Sequence, residues 1–392
     1  MSATAGVPST SVCTSQKGLR IPYHNKADGF TAALLLTLNQ VKFCELHNCQ
    51  PHVVWSAFPA CKYAGVRFPG RTPFFDASHG TNAFLYFFRP ICEGYAKAQQ
   101  VAPTLTCEQR EQVHRVLPWA LRTYYYGAAR SSAAGGARAN ETYDAAWYGQ
   151  QRSEGARLVN RYLRLQPAVA SRLSNLSTAL LGRDESTRLP LSRSPILGVH
   201  LRGTDKGKYL STAGSGRPIG PTEYEPYVTA FLKAHGPSAK VFVATDSPSY
   251  LDEVKRKWPA DKLIYRSEVL RHESNVAFVG GKGGGKRNGG AAAIGSGNYR
   301  KGEEVLLDAL LLSKCDFLLH SASGVAEFAI YWSDNMRLHS NSVHLQYEYQ
   351  RQVPTWMGAQ SSSSSAEETA AAAPQHRHAA GKRARRKRRN SA

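Results

Sequence analysis

Ile196-Leu-Gly-Val-His-Leu-Arg-Gly-Thr-Asp-Lys206 decides how this chain is read. Residues 196–200 are apolar and β-favouring, opened by Pro195 after the polar run 188–194, and predict a short buried strand. The hydrophobic run stops at Arg202, where Gly, Thr, Asp and Lys take over. In an open α/β sheet, ligands sit at the carboxyl ends of strands, where polar loops meet the crevice. Arg202 offers a planar fork of donors suited to a phosphate, and Lys206 adds a point charge. Gly203 lets backbone approach a ligand closely. The plainer alternative is an edge strand that runs into a solvated turn.

The remainder of the chain argues against that alternative, because strand and helix signals alternate through it. Residues 223–235 predict a helix and 240–245 a buried strand, which ends at Thr245-Asp246. Helix 249–258 and strand 262–265 come next, then an apolar helix over 303–313 that carries Asp308, and strand 316–320. Ser321-Ala-Ser323-Gly324 and a helix over 325–332 close the series. A strand, a Ser/Gly turn and a helix N-terminus make a natural diphosphate pocket. The Gly-, Lys- and Ala-rich insert 280–297 holds too little apolar surface for a core and reads as disordered. Its Gly-Gly-Gly-Lys is a weak phosphate-loop signal, since no apolar strand leads into it.

The first half reads less sharply. Residues 1–20 are polar and read as loose. Leu34, Leu35, Leu38, Val41, Phe43 and Leu46 recur near helical spacing over 28–50, with Gly29 just before the helix and Asn39 and Gln40 inside it. Exposed or hydrogen-bonded amides are the simpler reading of that pair. A strand over 51–55 completes a unit of α/β type. The aromatic stretch 57–91 reads as packing under loops more readily than as a sugar-stacking platform. A helix start within 105–126, a small-residue linker over 131–139 and helices over 142–165 and 173–181 come after it. The boundary falls in 182–194, which gives an N-terminal domain over 21–190, a second over 191–357 and a low-complexity basic tail over 358–392.

The net charge of +21 invites a nucleic-acid reading, but eight of the Lys and Arg residues lie beyond His376, and subtracting them leaves +13. No aromatic residue interleaves that tail, and the body shows no nucleic-acid motif. A basic body suits an anionic ligand such as a nucleotide diphosphate. Of the seven cysteines, six fall within the first 107 residues, which allows up to three disulfides in a secretory compartment. No zinc-type spacing is present, so no metal is expected. Asn140-Glu-Thr and Asn175-Leu-Ser are glycosylation triplets. No stretch has the apolar length of a membrane span, and Met1-Ser-Ala-Thr lacks the features of a signal peptide. The expectation is a cytosolic protein, or a sequence that begins downstream of an anchor.

Gly198-Val-His-Leu-Arg-Gly-Thr-Asp-Lys206 resembles the Gly-Val-His-x-Arg-x-Thr-Asp-Lys peptide of the α1,6-fucosyltransferases and the related protein O-fucosyltransferases. Val243-Ala-Thr-Asp-Ser-Pro-Ser-Tyr-Leu251 is similar to their second peptide. Leu306-Leu-Asp308, with Phe317-Leu-Leu-His-Ser-Ala-Ser323, is similar to their third. The resemblance implies a GT-B fold, two Rossmann-like domains facing a cleft, and an inverting transfer of fucose from GDP-fucose without a metal or other cofactor. It implies His200, Arg202, Thr204, Asp205, Lys206, Thr245, Asp246, Asp308, Ser321 and Ser323 around the sugar nucleotide, with Gly29 and Asn39 on a first-domain loop near the donor. Arg202 would stabilise charge growing on the β-phosphate. The acceptor would be a glycan or glycoprotein hydroxyl in the Golgi or ER lumen, with no nucleic acid required. Where α1,6 members often carry a second arginine, Gly203 stands here. No carboxylate follows the lysine closely, which leaves Glu327 and Glu223 as candidate bases. The alternative is a catalytically inactive GDP-sugar-binding or scaffold protein of the same fold.

Overall fold

The computed structural model describes residues 13, 18–22, 29–55, 61–63, 66–68, 74–92, 145–183, 194–203, 219–269, 271, 298–321, 323–333, 339–342, 354 and 356. The expected helix start in 105–126, the linker 131–139, the insert 280–297 and the tail 358–392 lie outside them. Two compact units divide the chain, Met1–Gln352 and Val353–Ala392. Every helix and strand named below belongs to the first.

Gly18–Pro22 forms strand β1, so regular structure begins inside the stretch expected to be loose. It pairs in parallel with β2, Gln50–Val54, with Ile21 opposite Val53. A parallel pair needs a crossover, and helix α1, Phe30–His47, supplies it. Every residue from Phe30 to Val41 is buried, so α1 is covered on all sides rather than along one stripe. Asn48 ends it at φ 48°, a left-handed position that asparagine tolerates. The aromatic stretch expected to be irregular holds a short antiparallel pair, β3 (Cys61–Tyr63) and β4 (Val66–Phe68), and helix α2, Phe84–Phe87. Helix α3, Ala145–Tyr162, precedes α4, Pro167–Leu176, which runs into a π turn over Ser177–Leu181.

The second half alternates as its sequence does. Strand β5 (Ile196–Leu201) is followed by α5 (Pro221–His235), β6 (Lys240–Thr245), α6 (Pro248–Lys257) and β7 (Leu263–Tyr265). Helix α7 (Asn298–Leu312), β8 (Phe317–His320), α8 (Gly324–Trp332) and β9 (Ser340–Ser342) complete it. These strands form one parallel sheet in the order β7-β6-β5-β8-β9. The chain starts in the middle at β5, winds outward to β7, then returns to β8 on the other side. Strand order therefore reverses between β5 and β8, the place where an open α/β sheet leaves a crevice at its carboxyl edge.

A single hydrophobic cluster runs from Ile21 to Tyr331 across the boundary expected at 182–194. Two glycines let helices meet closely inside it. A Cβ at Gly155 of α3 would stand 2.7 Å from the ring of Tyr331 in α8, and one at Gly302 of α7 would stand 2.8 Å from Phe87 of α2. The same contact is reinforced by charge, because Arg152 of α3 binds Glu327 of α8 at 2.8 Å. Disulfides join Cys13 to Cys92 and Cys44 to Cys49, while Cys315 is a buried free thiol. Among the described residues no helix is long and apolar enough to cross a membrane.

Candidate functional site

Three strand ends meet at the reversal point of the sheet. In β5, His200 is 5% exposed and stands in register with Ala244 of β6 and His320 of β8. Partners in register on parallel strands point to one face, so the two histidines are neighbours at the carboxyl edge. Arg202 and Gly203 come next in the chain, both half-buried. Thr204, Asp205 and Lys206 lie outside the described residues.

The ends are tied to one another by hydrogen bonds. Gly203 donates its backbone N–H to Asp246 Oδ1 at 2.8 Å, which fixes the chain after β5 to the end of β6. A Cβ at Gly203 would come within 2.6 Å of Ser247 Cβ. A side chain at 203, such as the second arginine of the α1,6 members, would have to displace the Ser247 turn. Thr245 Oγ1 accepts the Ser247 N–H, and Ser247 Oγ in turn accepts the Tyr250 N–H to cap α6. On the other side Tyr224, from α5 and fully buried, donates its hydroxyl to the His200 carbonyl at 3.1 Å. Burial pushes the Tyr224 phenol up, so it stays protonated and holds this link as a donor.

The Ser323 hydroxyl, expected at a ligand, accepts the Val325 N–H and caps α8. With the residue 0% exposed, the amides of the first turn of α8 remain as its contribution. Ser321 is 7% exposed at the end of β8. The carboxylates offered as bases are engaged. Glu327 is 0% exposed and held by two nitrogens of Arg152, and Glu223 accepts the Gly220 N–H at 2.9 Å as the N-terminal lock of α5.

Asp308 belongs to a different cluster, beside the end of β7. Arg266, 1% exposed, donates to Asp308 Oδ1 at 2.9 Å, to Glu268 at 2.8 Å and to the Glu304 carbonyl at 3.0 Å. Its remaining nitrogen, Nη2, is buried without a partner. Arg271 donates to the Arg266 carbonyl at 2.7 Å. Burial raises the Asp308 carboxyl above its ordinary value, and the Arg266 charge opposes that rise without cancelling it. Asn39 requires a correction: it lies inside α1 and is 2% exposed, so it sits on no loop. Gly29 does precede α1, with open space where a side chain would be. Sequence reasoning placed Arg202, Asp246 and the Ser321–Ser323 turn together but gave no role to Tyr224, Ser247 or Arg266. Nothing in a strand-end or helix pattern singles out those three. Among the described residues no three of His, Cys, Asp and Glu gather as a metal site would require.

No family model matches the chain, and no curated protein matches it in sequence. Among solved structures, NodZ alpha-1,6-fucosyltransferase soaked with GDP-fucose is similar at 15% identity and a TM-score of 0.41, over 81% of this chain and 93% of that one. The same enzyme co-crystallized with GDP gives 17% and 0.41, over 80% and 92%. POFUT1 in complex with GDP-fucose gives 10% and 0.38, over 84% and 99%.

Proposed function

We propose that this chain transfers fucose from GDP-fucose to a glycan or protein hydroxyl, with inversion and without a metal, across a cleft between two Rossmann-like halves. The observation that carries the reading is the reversal of strand order between β5 and β8, with Arg202 leaving one strand and the first turn of α8 following the other. The three peptides shared with fucosyltransferases supply the donor class. In this reading the diphosphate lies over that gap, against the amides of α8 and the Arg202 guanidinium. As the fucosyl–oxygen bond breaks, charge grows on the β-phosphate, and Arg202 stabilises it more than it stabilises the bound donor. The clamp from Asp246 to Gly203 keeps Arg202 in place, and Tyr224 ties α5 to the end of β5. Asp246 and Asp308 take the ribose and guanine. Transfer in the ER or Golgi lumen accords with the two disulfides.

Thermal unfolding in EDTA with GDP, GDP-fucose, GDP-mannose and UDP-sugars tests this. A ligand of the native state stabilises it by mass action, about 2.7 kcal/mol at a hundred times its dissociation constant. GDP and GDP-fucose are expected to raise the melting temperature and UDP-sugars to leave it unchanged. Arg202→Ala is expected to lower turnover roughly 100- to 1,000-fold, the scale of losing one preorganised charge stabiliser. No shift with either guanosine ligand, or near-normal turnover in the variant, sinks the reading.

A further inference from the structure

Asn175-Leu-Ser177 places two chemical groups on one helix, and the fold treats them oppositely. Asn175 lies in the last turn of α4 and is exposed. Val169, Leu173 and Ser177 stand at successive steps of four, on the face that α4 turns inward, and Ser177 is 0% exposed. Two residues along a helix are about 200° apart, so the amide faces solvent while the hydroxyl faces the core. The Ser177 hydroxyl has no hydrogen-bond partner there. A buried hydroxyl without a partner is a net cost to a fold. Alanine would fill the same space without that cost, so folding makes no use of this oxygen.

We infer that Asn175 is a site of N-linked glycosylation and that the Ser177 hydroxyl serves recognition of the nascent chain before α4 forms. The co-substrate is a lipid-diphosphate-linked oligosaccharide. The Asn175 amide nitrogen attacks C1 of its first sugar, and the N–C1 bond forms as the C1–O bond to phosphate breaks. The lipid diphosphate leaves with the electron pair, and the amide proton passes to a base of the transferase. An enzyme that must contact amide and hydroxyl together cannot do so once the helix has turned them apart, so modification precedes folding. The two disulfides independently point to the oxidising compartments in which such transfer occurs. A glycan on the solvent face of α4 leaves the Val169–Leu173 contact with the core untouched. The inference stands apart from the donor reading above.

The test is expression of the full chain behind a cleavable secretion leader in a eukaryotic host, in an Asn140→Gln background that removes the other triplet. Peptide mapping after enzymatic deglycosylation in heavy-oxygen water is expected to mark Asn175. Asn175→Gln and Ser177→Ala should each lose the same single glycan, and Ser177→Thr should keep it. Ser177→Ala should melt at or above the temperature of deglycosylated wild type. An unmodified Asn175 in the secreted, disulfide-bonded protein overturns the inference. In a second arm, the transferase and lipid-linked oligosaccharide are offered unglycosylated chain, either folded or reduced and denatured. The denatured chain is expected to be modified at least about tenfold faster, because the helix must open first. Equal rates overturn the claim that modification precedes folding.

Discussion

Arg266 and Asp308 show how one buried pair can have unequal partners. Arg266 cannot shed its charge, and it keeps a second carboxylate, Glu268, whatever happens at Asp308. Asp308 can neutralise itself, and burial already raises its carboxyl. Asp308→Asn should therefore change stability by less than about 1 kcal/mol, since it strands no charge. That makes it the variant in which an effect on GDP affinity can be read without unfolding. Arg266→Met should cost about 2 kcal/mol at pH 7, below the roughly 3–5 kcal/mol of a wholly stranded charge because Arg271 remains near Asp308. A carboxyl whose folded pKa lies above its unfolded value stabilises the fold below the unfolded value, and that contribution fades as pH rises through the folded one. Removing Arg266 raises the folded value further. The deficit of Arg266→Met should therefore shrink between neutral pH and the ordinary carboxylate value of 3.8. Urea unfolding of both variants across that range checks this, and a pH-independent deficit in Arg266→Met would show that Asp308 is not the stranded group.

At the scale of elements, the crossing of α3 and α8 depends on the absence of a side chain at Gly155. Alanine is favoured over glycine inside a helix by about 1 kcal/mol. Its Cβ here would lie 2.7 Å from the Tyr331 ring, and overpacking of that kind costs roughly 1–3 kcal/mol. The packing cost should win, so Gly155→Ala lowers the melting temperature. Gly149→Ala, on the same helix with nothing within 4 Å of the added carbon, should raise it. A stabilising Gly155→Ala would mean that α3 and α8 do not meet as described. Elements with local signals were legible in the sequence: β5, β6 and β8 as apolar runs ended by polar turns, α6 and α8 as the helices that follow those turns, although their Ser247 and Ser323 caps were not. The short strands β1, β3, β4 and β9 were not, because three to five residues become a strand only through a partner elsewhere in the chain. The helix over α1 was legible, but its burial on every side was not, since neighbours decide that. The helical spacing placed Asn39 inside that helix and only the resemblance put it on a loop, while Tyr224 reads as core packing until its hydroxyl is found on the end of β5.

Across the first unit, packing alone is not the only constraint, because the two disulfides among the described residues close loops of very different length. Cys13–Cys92 spans 79 residues and anchors the segment ahead of β1 to the end of the α2 region. Cys44–Cys49 spans 5 and closes only the turn between α1 and β2. In the chain-entropy account, the free energy gained by cross-linking the unfolded state grows with the logarithm of loop length, giving about 4.5 kcal/mol for the long loop and about 2 for the short one. The difference should be visible in reversible urea unfolding. The Cys13→Ser/Cys92→Ser protein should lose about twice the stability of the Cys44→Ser/Cys49→Ser protein. A second consequence separates this account from simple loss of contacts. The long cross-link acts by keeping the unfolded chain compact, so its removal should also raise the urea m-value, which scales with the surface exposed on unfolding. Removal of the short one should leave the m-value unchanged. Equal losses from the two pairs, with an unchanged m-value in both, would mean that the Cys13–Cys92 link acts on the native contacts of β1 and β2 rather than on the unfolded chain.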